Sequence, residues 1–108
     1  MNTDDNLLIK QIARGDEGAF KALYEEFFHV LLAVACKYVE REVAEDIVQD
    51  VFVNLWLNRK KITFGESTKS LLYVSTRNLV YNYIRSAKRE NERYKHLTEE
   101  NESSTLNY

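Results

Sequence analysis

No proline occurs anywhere in this chain, and its only glycines are Gly15, Gly18 and Gly65. These are the residues that most often end a helix, so a sequence nearly free of them can stay helical over long stretches. Apolar side chains recur at steps of three and four rather than two, and the expected fold class is all-α, a compact bundle of about four helices with a long C-terminal helix. A chain of 108 residues with 44% hydrophobic content fits one small domain with a modest core. Cys36 is the sole cysteine, which excludes an intrachain disulfide and suits a reduced, cytoplasmic setting. The polar start from Met1 to Asp5 has no signal-peptide pattern, and no apolar run approaches the roughly 20 residues of a membrane span.

Along the chain, Asp4, Asp5 and Asn6 are N-cap candidates for a short first helix carrying Leu7, Leu8, Ile9 and Ile12, with Gly15 as its stop. Asp16 caps a second helix whose apolar arc holds Phe20, Leu23, Tyr24, Phe27, Leu31, Val34, Ala35 and Tyr38, and which is expected to end near Val39 to Glu42. Cys36 falls on this helix and reads as a buried structural thiol. The third helix is expected from Val43 to Asn58, with Ala44, Ile47, Val48, Val51, Phe52 and Leu55 on one broad arc and Glu45, Asp46, Gln49 and Asp50 opposite. Periodicity then fails from Arg59 to Ser70, giving a basic loop with Ile62, Phe64 and Gly65, and Ser67 or Thr68 is placed to cap the final helix. That helix is expected from Lys69 to Leu97, with Leu72, Ser75, Thr76, Leu79 and Tyr83 inward and Arg77, Tyr81, Arg85 and Lys88 outward. Residues 1–97 thus form the domain, and 98–108 read as a flexible polar tail.

The net charge of -2 conceals a division along the chain. Residues 1–55 hold 11 acidic against 5 basic side chains, residues 56–95 hold 10 basic against 3 acidic, and the tail adds three glutamates. Such asymmetry suggests two partners, one of them nucleic acid, although solvated helices also carry uneven charge. Catalytic patterns are missing. His29 and His96 stand far apart, no glycine-rich phosphate loop occurs, and Asp46 with Asp50 offers too few oxygens for a hard cation. The expectation is a binding protein and not an enzyme, with no metal and no cofactor.

On the third helix, a rotation of about 100° per residue puts Val53 and Leu57 on the same side as Asp46 and Asp50. An apolar pair framed by carboxylates fits a protein contact, and it fits equally a helix buried by neighbours on more than one side.

The segment AEDIVQDVFVNLW, Ala44 to Trp56, resembles the part of extracytoplasmic-function (ECF) sigma factors, of the sigma-70 family, that binds the clamp helices of RNA polymerase. AFKALYEEF, Ala19 to Phe27, precedes it and LYVSTRNLVYNYIRSAKR, Leu72 to Arg89, follows it in the family's order, so the resemblance runs from about Leu7 to Arg89. It implies a region-two domain, a transcription initiation module that docks on the polymerase β′ subunit and helps open the promoter at the minus-ten element. It also implies polymerase contacts at Asp46, Gln49, Asp50, Val53 and Leu57, with Asp50 standing where the pattern often has Glu. Carboxylates on a rigid helix can meet arginines through charge-assisted hydrogen bonds while aliphatics supply desolvated area.

The same resemblance turns the loop and the last helix toward the non-template strand. Arg77, Arg85, Lys88 and Arg89 suit phosphates, and Asn78 and Asn82 suit base edges. Phe64, Tyr73 and Tyr81 can stack on or enclose an extruded base, with the pocket expected in the loop from Ile62 through Ser67. Phe64 can equally anchor that loop to the core. Leu71 stands where many members have tryptophan, and Ser75 and Thr76 replace a small or aliphatic pair, so looser packing is expected there. Members continue into a helix-turn-helix domain that is absent from this chain, which makes 98–108 the expected start of an interdomain linker. An anti-sigma factor is a further implied partner. Two alternatives stay open, a helical module that binds duplex nucleic acid, and a protein-interaction scaffold without a polymerase partner.

Overall fold

The computed structural model describes residues 2–62 and 67–106, with side-chain surroundings for 7–62 and 67–97. Four helices follow one another, α1 (Asn2–Ala13), α2 (Glu17–Ala35), α3 (Arg41–Leu57) and α4 (Thr68–Leu106), with a single 3₁₀ turn at Arg59–Lys61 between the last two. Phe64 lies outside the described residues.

The α1–α2 corner is the most local piece of folding. Gly15 takes φ +92°, its N–H donates to the Ile12 carbonyl (2.8 Å), and the Asp16 N–H donates to the Gln11 carbonyl (3.0 Å). This pair of bonds is a Schellman closure, which needs a residue tolerant of the left-handed region. Asp16 then starts the next helix, its Oδ1 accepting from the Ala19 N–H at 3.1 Å as expected. α1 itself begins at Asn2. Asp4, Asp5 and Asn6 therefore sit within its first turns and not at its cap.

The core gathers one face of each helix. Ile9 and Ile12 come from α1, Ala19, Leu23, Phe27, Leu31, Leu32 and Ala35 from α2, and Leu72 and Val80 from α4. The α3 contribution is the predicted arc of Ala44, Ile47, Val48, Val51, Phe52 and Leu55. An aromatic seam joins α2 to α3: Phe20 lies 5.1 Å from Trp56, and Tyr24 lies 4.9 Å from Phe52, centroid to centroid. Thr76 is wholly buried, and its hydroxyl donates to the Leu72 carbonyl at 2.8 Å, so the place of an aliphatic residue is taken without an orphaned polar group.

Three expectations need correction. α2 stops at Ala35, where the Cys36 N–H closes the last turn on the Leu32 carbonyl (2.9 Å), and the chain turns outward before the apolar arc is complete. Cys36 is consequently exposed and not a buried thiol, and Tyr38 is 64% exposed. Tyr83 is 43% exposed rather than inward-packed. It does lie on the core side of α4 by helical angle, but there only the end of α2 and the turn after it, Cys36 to Glu40, border α4, and every residue from Tyr81 to Leu97 is exposed. Finally, α4 continues helical to Leu106, through most of the stretch expected to be a tail, and this rod gives the molecule its 69 Å length against 24 and 21 Å across. Among the described residues, no helix is long and apolar enough to cross a membrane.

Candidate functional site

α3 has two faces of opposite character. On the side away from its buried arc, Asp46, Gln49, Asp50, Val53 and Leu57 are all exposed. Steps of three and four residues keep them within a stripe roughly 100° wide and about 16 Å long. Val53 is 50% and Leu57 69% exposed, so neighbouring helices do not bury this side. Just upstream, Arg41 Nε donates to Glu45 Oε1 at 3.1 Å, an exposed pair one turn apart that steadies the start of the helix. Asp46 and Asp50 form no ion pair among the described residues.

The turn after α3 is held by its own side chains. Asn58 Nδ2 donates to the Asn54 carbonyl (2.9 Å), and Arg59 donates to the Trp56 carbonyl (2.8 Å) while its guanidinium lies 4.3 Å from the Trp56 ring centroid. This leaves Lys60 and Lys61 exposed beside the loop. At the loop's far end Ser67 caps α4, its hydroxyl accepting from the Ser70 N–H (3.4 Å) and its carbonyl from the Leu71 N–H (2.9 Å). Ile62 and Tyr73 are half-buried against the core, and the Lys69 ammonium lies 5.8 Å from the Tyr73 ring centroid. Ser67, Ile62 and Tyr73 thus each have an intramolecular contact and only part of their surface left for a ligand.

Arg77, Asn78, Tyr81, Asn82, Arg85, Lys88 and Arg89 are all exposed on α4, but they do not form one face. At about 100° per residue they span an arc of about 140°, and the clefts on either side divide them. On one flank, Asn54, Asn58, Lys61, Ile62, Leu71 and Ser75 border a cleft of about 280 Å³ between the end of α3, the 3₁₀ turn and the start of α4. Asn78, Asn82 and Arg89 continue along that flank past Ser75. On the other flank, Tyr73, Arg77 and Tyr81 border a trough of about 340 Å³ shared with Val34 and Tyr38. Arg85 lies between the two flanks, its guanidinium 5.6 Å from the Tyr81 ring centroid. The reading of the sequence missed Asn54, Asn58 and Lys61. The signal was the pair of asparagines one turn apart, leading straight into the basic turn.

The helical domain thus presents an acidic-apolar stripe on one helix and amide and basic groups beside a cleft on another. The family model described as Sigma-70 region 2 matches residues 23–90, more than half of the chain, and the protein belongs to that family of transcription initiation factor domains. Among solved structures, the fold is similar to that of an engineered region 2 of sigmaE, determined by NMR in complex with GTAAAA. The two share 23% identity at a TM-score of 0.73, over 80% of this chain and 90% of the other. No curated protein matches in sequence.

Proposed function

We propose that this region-two domain joins RNA polymerase core to single-stranded promoter DNA, with a different helix assigned to each partner. The α3 stripe docks on the clamp helices of the β′ subunit, where Asp46, Gln49 and Asp50 meet arginines and Val53 with Leu57 supplies the desolvated centre. The observation that carries this reading is the exposure of Val53 and Leu57 inside a frame of carboxylates, opposite the core. The non-template strand of the minus-ten element then runs along the flank of α4 that borders the Asn54 and Asn58 cleft. There Asn78 and Asn82 meet base edges, Arg85 and Arg89 meet phosphates, and the loop with Ile62, Phe64 and Ser67 receives an extruded base. No bond is made or broken, and melting follows from capture of flipped bases. The setting is the cytoplasm, where polymerase and promoter meet, and an anti-sigma factor that covers the α3 stripe would hold the domain inactive.

The test separates the two faces. Asp50→Arg is expected to abolish capture of core polymerase in a pull-down while leaving binding of a minus-ten single-stranded oligonucleotide at parent strength. Asn78→Ala with Asn82→Ala is expected to weaken oligonucleotide binding, read by fluorescence anisotropy, and to leave polymerase capture intact. Parent-like polymerase capture by Asp50→Arg would overturn the assignment of α3.

A further inference from the structure

Apart from Arg85 on its rim, the trough on the other flank of α4 is not used by either of these contacts. Its walls are Val34 and Tyr38, at and just beyond the end of α2, and Val74, Arg77, Tyr81 and Ile84 on α4. Tyr38 and Tyr81 are 64% and 62% exposed, and Val74 and Ile84 are each 43% exposed, so apolar surface is concentrated here that the fold itself leaves uncovered. The early stop of α2 at Ala35 creates the trough by swinging Tyr38 outward as a wall instead of filling the space.

Shape and charge together select the occupant. From Val74 to Ile84 the α4 wall runs for about 15 Å, the length of nearly three helical turns. A trough between two helices, floored by branched aliphatics, fits the apolar stripe of a third helix with anchors at i, i+3 or i+4, and i+7. The rim is basic. Arg77 is part of the wall, Arg85 lies over Tyr81, and exposed Lys37 and Lys88 stand next to Tyr38 and one turn beyond Ile84, against Glu40 in the shallower cleft beyond Tyr38. A single nucleic acid strand would also meet the positive rim and find Tyr38, Tyr73 and Tyr81 to stack on, but the four aliphatics Val34, Val74, Val80 and Ile84 that line the trough beside them match the apolar stripe of a helix and give a base nothing to pair with.

We infer that this trough is a second protein-docking groove, separate from the α3 stripe, which takes an amphipathic helix whose apolar stripe is flanked by carboxylates. Arg77, Tyr81 and Lys88 then serve this partner and not DNA.

The experiment uses the 108-residue chain and three fluorescein-labelled probes. One is a helical peptide of about 16 residues with leucines at the anchor spacing and glutamates beside them, the second carries lysines in place of the glutamates, and the third is a minus-ten single strand. The glutamate peptide is expected to bind at least about tenfold more tightly than the lysine peptide, by the attraction of a basic rim for carboxylates. Val74→Glu with Ile84→Glu is expected to weaken it by about tenfold or more, with the circular-dichroism melting curve unchanged, since both sites are exposed. Leu57→Asp is expected to leave peptide binding as it was. No binding of the glutamate peptide, equal binding of both peptides, or indifference to the Val74 and Ile84 changes would overturn the proposal. Displacement of the peptide by the single strand would make the trough a nucleic-acid face, and a concentration-dependent dimer abolished by Val74→Glu would make its occupant a second copy; either result overturns it as well.

Discussion

Truncating Leu57 to alanine tests the proposed polymerase contact of the α3 stripe most directly, because the structure separates its effect on binding from its effect on folding. Leu57 is 69% exposed in the free domain. A fully buried leucine contributes about 1.5–3 kcal/mol relative to an exposed one, so the part still available for burial against a partner corresponds to about 1–2 kcal/mol. That range is roughly a 5- to 30-fold loss of affinity. Folding has little to lose at the same site, since the cap bonds beside it run from Asn58 to Asn54 and Trp56 and a surface substitution that removes no such bond stays within about 0.5 kcal/mol. The assay is a titration of core polymerase with the labelled domain, run beside a urea unfolding curve of the same variant. Val53→Ala, at 50% exposure, is expected to give a smaller loss in the same direction. Unchanged affinity for Leu57→Ala would refute the reasoning, and so would a shift of the unfolding midpoint worth several kcal/mol, because Leu57 would then be part of the core.

Three further outcomes are expected from the fold and the nucleic-acid flank. Gly15→Ala places a Cβ at φ +92° with no atom nearby to clash, so its cost is the backbone strain alone, about 1–2 kcal/mol, seen as a lowered urea midpoint. Phe52→Ala removes a ring that is 1% exposed and sits between Phe20 and Tyr24, and about 3–5 kcal/mol of destabilisation is expected in the same experiment. Arg89→Ala is expected to lower the log–log salt slope of single-strand binding by about 0.7, the value for one phosphate contact, without changing preference among sequences.

Much of this architecture was legible because its causes are local. Asp16 announced the start of α2, Gly15 the end of α1, and the six-residue arc of α3 had the helical period with nothing to interrupt it. The end of α2 was not legible, since Ala35 is followed by neither glycine nor proline and the apolar period runs on to Tyr38. Only the packing of the bundle decides where that helix lets go. Tyr83 was misplaced for a related reason: helical angle gives the side a residue faces, not how fully a neighbour covers it. Helical angle put the α3 stripe on one side, but that no neighbour covers this side came only from the packing, which leaves Val53 and Leu57 exposed. The division of the α4 side chains between two flanks was not legible either, because it depends on where the ends of α2 and α3 come to rest. That is also why Asn54 and Asn58 entered the site only through the cleft they border.

The uncovered run of α4 places two kinds of thermodynamics in one helix. Up to Val80 the helix is held by burial and melts with the bundle as a single cooperative unit. As far as Ala87 it still borders the end of α2, and from Lys88 to Leu97, where every residue is exposed, helix rests on intrinsic propensity and on pairs of side chains one turn apart. Propagation from an already formed helix avoids the cost of nucleation, so this segment lengthens and frays residue by residue in place of switching all at once. Its amides exchange at rates set by distance from the bundle, and its effective length responds to temperature, to salt and to whatever lies alongside it. The bundle therefore acts as a fixed anchor, and the rod leaving it has an adjustable length.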